Sequence, residues 1–556
     1  MSGERLIYLP LGGAGEVGMN AYVYGYGQPG KERLILVDLG VTFPDMDGSP
    51  GVDLILPDIG WLADNADRLE AIFITHAHED HVGALGHLWP RLKAPVHARR
   101  FTGRLAQMKL EEQGLPTDVV RITDPRPSVT EAGPFRVQFV PISHSIPETA
   151  VLVIDTPAGR IVHAADFKLD PTPVVGEPFD AELFEALGDE GVKVLVCDST
   201  NVGVLHEGRS EATLAEPITE LVAGAKGMVV ATTFASNIAR VRTLAEAGRA
   251  AGRSVCLLGR AMKRMVGVAQ ETGVLSGMPA TVSAEEATDI PRENLMLIVT
   301  GSQGERRAAS AQLARGRYLG LEMKEGDLFL FSSKTIPGNE RDVLRIINAF
   351  SEKGVDVIDD STRRYHVSGH ANRPDLERFH ALLRPDMLLP NHGEHRMLRA
   401  HARLAEDAGI ATAIPVNGMM LDITGEIPKV ADYIDTGRLY LDGSVIYGAL
   451  DGVVRDRLRM AMNGLVMVSL ILEDEEVLGD PWCELRGLPE QGRSRAPLAE
   501  LLEREMGAYL ERAGRRTMKD DDALEEGLRR VVRQLSMEEI GKKPEVSVVI
   551  SRLSED

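Results

Sequence analysis

Thr75-His76-Ala77-His78-Glu79-Asp80-His81-Val82-Gly83 follows an apolar run at 69–74 that reads as a short strand. Three imidazoles and two carboxylates therefore gather in the loop where that strand ends. Histidines two apart in an extended loop can present both rings to one cation, while Asp80 and His81 open the next segment and can face a second cation alongside. Donors of this kind suit zinc, and manganese less tightly. A solvated polar loop accounts poorly for five ionisable side chains within 76–81.

Upstream, Gly13-Ala14-Gly15-Glu16-Val17-Gly18 follows a strand at 6–11 and spells Gly-x-Gly-x-x-Gly, with Asp38 twenty residues beyond Gly18. A dinucleotide site needs a helix directly after the glycines. Residues 21–24 alternate instead, and another strand follows at 33–37, so the glycines make a turn in an antiparallel meander. The Asp-, Gly- and Pro-rich stretch at 41–65 reads as a long loop able to overhang the site.

The 556 residues suggest roughly two to four domains, and a 44% hydrophobic, 26% charged composition is that of a globular protein with a sizeable core. The start lacks a signal-peptide pattern, and no run approaches a membrane span, so a cytoplasmic, membrane-free protein is expected. Cys197, Cys256 and Cys483 are far apart, odd in number and form no Cys-x-x-Cys. That points away from a disulfide framework and a thiolate zinc site, and leaves metal binding to His and carboxylate. A formal net charge of −21 weighs against nucleic acid as a partner unless a local basic surface exists. Arg253, Arg260, Lys263 and Arg264, in a stretch without acids, offer one such surface; a plain solvated face is the other reading.

Further strands deliver polar residues at their ends. A strand at 135–140 leads to His144, one at 160–164 to Asp166, and one at 192–196 to Asp198, where a helix cap is an equally good reading. His87 and His97 lack a partner pattern and read as structural. From about residue 206 strands alternate with helices, as a parallel sheet requires. Three of these strands run into polar turns at 233–237, 301–305 and 333–335, where ligands of open parallel sheets bind. Then come Tyr365-His366-Val367-Ser368-Gly369-His370-Ala371 and Leu389-Pro390-Asn391-His392-Gly393.

With its His-x-His-x-Asp-His stretch the chain resembles the metallo-beta-lactamase superfamily. With Asp198, His370 and His392 matching motifs A, B and C, it resembles the beta-CASP branch and the ribonuclease J family within it. The resemblance implies an α/β fold: an αββα metallo-beta-lactamase sandwich interrupted by a parallel-sheet beta-CASP insert, then a small C-terminal α/β domain. The expected divisions are 1–205 and 371–448 for the sandwich, 206–370 for the insert, 449–464 for a linker and 465–556 for the last domain, which supports oligomerisation in that family.

The resemblance further implies two divalent metal ions, zinc first, with manganese or magnesium as alternatives. His76, His78 and His144 would hold one, Asp80, His81 and His392 the other, with Asp166 bridging. Asp38 would fix a ligand ring from behind. Asp80 would also orient the attacking hydroxide, and His370, with Asp198 beside it, would be the general acid. Ser236, Asn237, Ser368, Gly369, His370 and Ala371 are candidates for a 5′-phosphate pocket. Histidine at motif C favours RNA over DNA. The function implied is a 5′ to 3′ exoribonuclease, also endonucleolytic, acting on single-stranded RNA in maturation and decay. A homodimer or higher homo-oligomer and contacts with other RNA-degradation proteins are expected. A small-ester or thioester hydrolase of the same fold leaves the insert and the His370/His392 pair unexplained, and a noncatalytic RNA-binding subunit would be expected to lack a ligand. Asn391 stands where a smaller apolar residue is usual, and Ala165 where glycine is common; neither change removes a ligand.

Overall fold

Apolar runs of five to eight residues are long enough for buried strands and too short for independent helices. In the computed structural model, which describes residues 3–336, 338–474 and 476–553, such runs build two facing sheets. The chain divides into two units, Met1–Thr42 with Leu56–Arg438, and Phe43–Ile55 with Leu439–Asp556.

In the first unit one sheet runs from Lys429–Tyr433 through Met419–Asp422, Arg5–Gly12, Ala21–Gly27, Arg33–Val37, Leu69–Ile74 and Val96–Ala98 to Val120–Ile122. Its first five strands are antiparallel and its last four parallel. Arg5–Gly12 pairs antiparallel with Ala21–Gly27, so the glycine motif is a turn in a meander.

The second sheet runs from Ala411–Thr412 through Met387–Asn391, Val194–Asp198, Gly159–Ala164, Ala150–Thr156 and Phe135–Pro141 to Thr130–Ala132. Tyr8, Tyr24 and Phe73 from one sheet and Phe135, Phe139 and Leu389 from the other share one buried cluster. The outer face of the second sheet carries another, closed by Phe184, Phe379 and Leu404 from the helices Ala181–Asp189, Arg373–Leu383 and His395–Asp407. Val194–Asp198 lies parallel between Gly159–Ala164 and Met387–Asn391, with Ala164 opposite Cys197 and Asp198 opposite Asn391. That register brings Asp166, Asp198 and His392 out at one edge.

The segment between these strands forms a six-stranded, all-parallel sheet in the order Thr281–Val282, Ser254–Leu258, Leu295–Val299, Val229–Thr232, Leu328–Phe331, Asp356–Ile358. Ile238, Val241 and Leu244 cover one face, and Val343, Ile346 and Phe350 the other. Covering both faces is what a parallel sheet demands.

In the second unit Leu465–Glu473 pairs antiparallel with Trp482–Arg486 and parallel with Glu545–Leu553. Val466, Val468, Leu470 and Leu472 alternate onto the helices Leu498–Arg512 and Asp521–Ile540, as period-two burial requires.

Several expectations need correction. Within the stretch 449–464, expected as a linker, the structure has the helix Val453–Asn463. The stretch 41–65 is not one loop: it contains the strand Leu54–Pro57 and the helix Gly60–Asp64, and Phe43–Ile55 belongs to the second unit. Arg253 is buried, with Nη1 donating to Gly227 O at 2.7 Å and Nη2 to Ala225 O at 2.5 Å, so it braces strands instead of forming a basic track. Arg264 is paired with Glu112. Among the described residues no helix is long and apolar enough to cross a membrane.

Candidate metal centre

The strand Leu69–Ile74 ends at buried Thr75, and the next residues turn outward before the short helix Glu79–Val82. His76 Nε2 stands 3.1 Å from His78 Nδ1, and His144 Nε2 stands 3.2 Å from the same atom. Asp166 Oδ2 lies 3.8 Å from His76 Nε2 and 3.6 Å from His144 Nε2. On the other side of Asp166, its Oδ1 lies 3.4 Å from His81 Nε2 and 3.2 Å from His392 Nδ1. Asp80 Oδ2 completes this second set, 3.5 Å from His81 Nε2 and 3.2 Å from His392 Nε2. Donor atoms within each set lie within 4.8 Å of one another.

The donor chemistry fits divalent cations. Ring nitrogens converge on ring nitrogens, and Asp166 Oδ1 is buried without a hydrogen bond. Burial holds His76 and His144 well below the ordinary histidine range and lowers His78 to about 4, so these rings are neutral and have lone pairs to give. On the second set burial acts the same way but is outweighed: Asp166, Asp80 and Asp38 raise His81 to about 10, and Asp166 with Asp198 and Asp80 raises His392. Burial alone would raise Asp80 and Asp166, yet His81 and His392 hold both carboxyls low. A divalent cation in the second set would take over the compensation that the His81 and His392 protons give Asp80 and Asp166.

The supports are equally specific. Asp38 Oδ1 accepts from Thr75 N at 2.8 Å, Oδ2 accepts from Thr75 Oγ1 at 2.9 Å, and Oδ2 also meets His81 Nδ1 at 2.8 Å. That carboxylate fixes the His81 ring and leaves Nε2 turned to the site. His144 Nδ1 donates to Gly369 O at 2.6 Å. A Cβ at Gly369 would lie 2.9 Å from His144 Cε1, and one at Gly40 would lie 1.7 Å from Asp80 O. Only glycine allows both approaches.

His370 Nδ1 donates to Asp198 Oδ2 at 2.8 Å, and Thr200 N and Oγ1 donate to Asp198 Oδ1 at 2.8 and 2.7 Å. Asp198 therefore orients His370, whose Nε2 faces Asp166 Oδ2 at 3.9 Å. Burial works against its protonation, but Asp198 and Asp166 shift its pKa upward.

The six phosphate-pocket candidates are already engaged in part. Asn237 caps its helix by accepting from Arg240 N at 2.9 Å. His370 N donates to Ser368 Oγ, and Ala371 N to Phe167 O at 2.6 Å. Ser368 Oγ also accepts from Asn201 Nδ2 at 2.8 Å.

One residue escaped the sequence reading. Asn20 Nδ2 donates to Asp80 O at 2.9 Å and stands 3.0 Å from His81 Nε2, while Tyr22 Oη donates to Asn20 Oδ1 at 2.7 Å. Its position just past the glycine turn was the available signal. Asn391, by contrast, is buried with neither side-chain atom hydrogen-bonded.

A two-sheet sandwich with paired His and Asp sets at one edge and a parallel-sheet insert defines a metallo-hydrolase of the metallo-beta-lactamase class. The family models described as "Metallo-beta-lactamase superfamily" and "Zn-dependent metallo-hydrolase RNA specificity domain" match residues 14–201 and 341–415. Those described as "Ribonuclease J, beta-CASP domain" and "Ribonuclease J C-terminal domain" match 226–350 and 452–553. A ribonuclease J of Sinorhizobium meliloti is 42% identical over 554 residues, covering 99% of this chain and 98% of that protein. One of Mycobacterium tuberculosis is 34% identical over 94% of this chain and 93% of its own, and one of Thermus thermophilus 33% over 85% and 84%. This chain belongs to the ribonuclease J family. A crystal structure of a protein of unknown function from Enterococcus faecalis, 16% identical with a TM-score of 0.52, covers 75% of this chain and 100% of its own, and shares the fold.

Proposed function

We propose that this chain is a metal-dependent ribonuclease that hydrolyses phosphodiester bonds of single-stranded RNA, exonucleolytically from a 5′-monophosphate end and also internally. The observation that carries the reading is the Asp198-held His370 ring facing the shared carboxylate Asp166. Membership of the ribonuclease J family supports RNA as the substrate.

His76, His78, His144 and Asp166 would hold one cation, and Asp80, His81, His392 and Asp166 another; zinc foremost, or manganese or magnesium, supplies Lewis acidity and acidifies water there. Asp38 and Asn20 keep the His81 ring and the Asp80 backbone in place. Asp80 orients the attacking water. Asp198 keeps the His370 ring turned so that Nε2 points at the reacting phosphate, where it can give its proton to the departing 3′ oxygen. The downstream fragment keeps a 5′ phosphate, and the 2′ hydroxyl takes no part as nucleophile.

Ser368, Gly369, His370 and Ala371, with Ser236 and Asn237, line the candidate site for that 5′ phosphate. The Ser236 and Ser368 hydroxyls do the donating. RNA runs between the sandwich and the parallel-sheet insert, held by its backbone, so sequence preference is low. The working form is a homo-oligomer in the cytoplasm, open to other RNA-degradation proteins.

The test is metal-loaded protein with 3′-labelled single-stranded RNA carrying a 5′ monophosphate, triphosphate or hydroxyl, beside Asp80→Ala and chelated controls. The monophosphate RNA should disappear fastest and from its 5′ end, with both controls inert. RNA left intact under zinc, manganese and magnesium alike would turn the reading toward a small-substrate hydrolase.

A further inference from the structure

Behind the strand that carries Asp198, three more donor side chains meet. Cys197, on Val194–Asp198, belongs to the apolar cluster on the outer face of the second sheet. His380 comes from Arg373–Leu383 and His401 from His395–Asp407, two helices that cover that face. One donor atom of each lies within 4.8 Å of the others, and the three residues are 0%, 4% and 0% exposed.

His380 Nε2 stands 3.1 Å from His401 Nε2, with the rings inclined by 10°. Zinc bound tetrahedrally, at about 2.05 Å from each nitrogen, sets two imidazole nitrogens about 3.3 Å apart. The rings are therefore already spaced to share a cation. Ser199 Oγ lies 3.0 Å from His401 Nδ1, which occupies that nitrogen and leaves Nε2 to the cluster. A buried ligand ring held by its second nitrogen is the arrangement metal sites use.

We propose that Cys197, His380 and His401 form a second, structural metal site for a thiolate-accepting cation of the zinc class. One thiolate and two imidazoles without a carboxylate select such a cation over magnesium, calcium or manganese. The donor set differs from that of the first centre, which has no sulfur.

The placement says what the site does. Cys197 directly precedes Asp198, Arg373–Leu383 begins three residues after His370, and His395–Asp407 begins three residues after His392. A cation here ties together, from outside the cleft, the three segments that carry those residues. The ligands are positioning residues and touch no substrate. Binding displaces the Cys197 proton, so it releases acid as a thiolate site does.

The experiment is Co(II) loading of the metal-stripped full chain, read by absorption. Thiolate bonded to Co(II) gives an intense near-ultraviolet charge-transfer band that imidazole and carboxylate ligands do not. The band should appear in the wild type, saturate at one equivalent of sulfur-bound cobalt, vanish in Cys197→Ala, and persist in Cys256→Ala, Cys483→Ala and in His78→Ala, which disables the first centre. His401→Gln should weaken it. No band in wild-type protein under excess Co(II), or a band unchanged in Cys197→Ala, overturns the site and leaves a hydrogen-bonded histidine pair. If Cys197→Ala does not fold, the wild-type spectrum with Cys256→Ala and Cys483→Ala decides, because a band that survives both can come only from Cys197. None of these readouts depends on RNA cleavage.

Discussion

Asp198 Oδ2 and His370 Nδ1 are 2.8 Å apart although 172 residues separate them in the chain. Between them runs the whole parallel-sheet insert. The pair exists only because the chain leaves the second sheet after Val194–Asp198 and returns just ahead of Arg373–Leu383.

Removing the ring should cost the proton transfer. His370→Ala is expected to slow single-turnover RNA cleavage by about 10²- to 10⁴-fold. Asp198→Asn should slow it less, since an amide can still hold the ring without its charge. Metal content should stay at the wild-type value in both; an undiminished rate in His370→Ala would remove the general-acid assignment.

Asp38 acts through His81. Asp38→Asn loses the charge-assisted bond to His81 Nδ1 and should weaken metal retention by about 10- to 100-fold, measured by chelator competition. Retention equal to wild type would show that the strand end alone orients the ring.

Arg240 is fully buried in the insert, with Nε donating to Glu211 Oε1 at 2.5 Å, Nη2 to Glu211 Oε2 at 2.9 Å and Nη1 to Ser332 O at 2.6 Å. Glu211→Ala leaves a buried guanidinium without its counter-charge and should destabilise the chain by about 3–5 kcal/mol. Denaturant unfolding checks this; a loss under about 1 kcal/mol would be that of an exposed pair.

His97 stacks on Phe73 with centroids 5.2 Å apart, and burial together with Arg121 lowers its pKa to about 4. In the unfolded chain it titrates near 6.5. Between those values the unfolded chain binds a proton that the folded chain does not, so stability rises with pH there and is lost on acidification from about 6.5 toward 4. By pH 5 the loss from this residue should reach about 2 kcal/mol. His97→Gln should flatten the difference in unfolding free energy between pH 7 and pH 5 by that amount; an unchanged slope would place the titration elsewhere.

Much of the fold was open to reading because it is written locally. The run at 69–74 and the histidines after it share one short window, and the alternation at 21–24 by itself excludes a nucleotide-binding helix. The insert's parallel sheet followed from strands alternating with helices. The helix Val453–Asn463, most of it exposed, sits where a linker was expected. Arg253 looked like part of a basic surface, and only the packed strands show its guanidinium spent on three carbonyls.

By itself the sequence determined which donors are available and where along the strands they are carried, because strand ends, glycine turns and short-range His spacing are local properties of the backbone. The tertiary structure decided which distant donors meet. Asp166 stands between two sets, Asn20 reaches Asp80, and Cys197 meets His380 and His401, 183 and 204 residues away. Such meetings depend on strand register and helix packing across the whole unit, so no spacing along the chain could announce them.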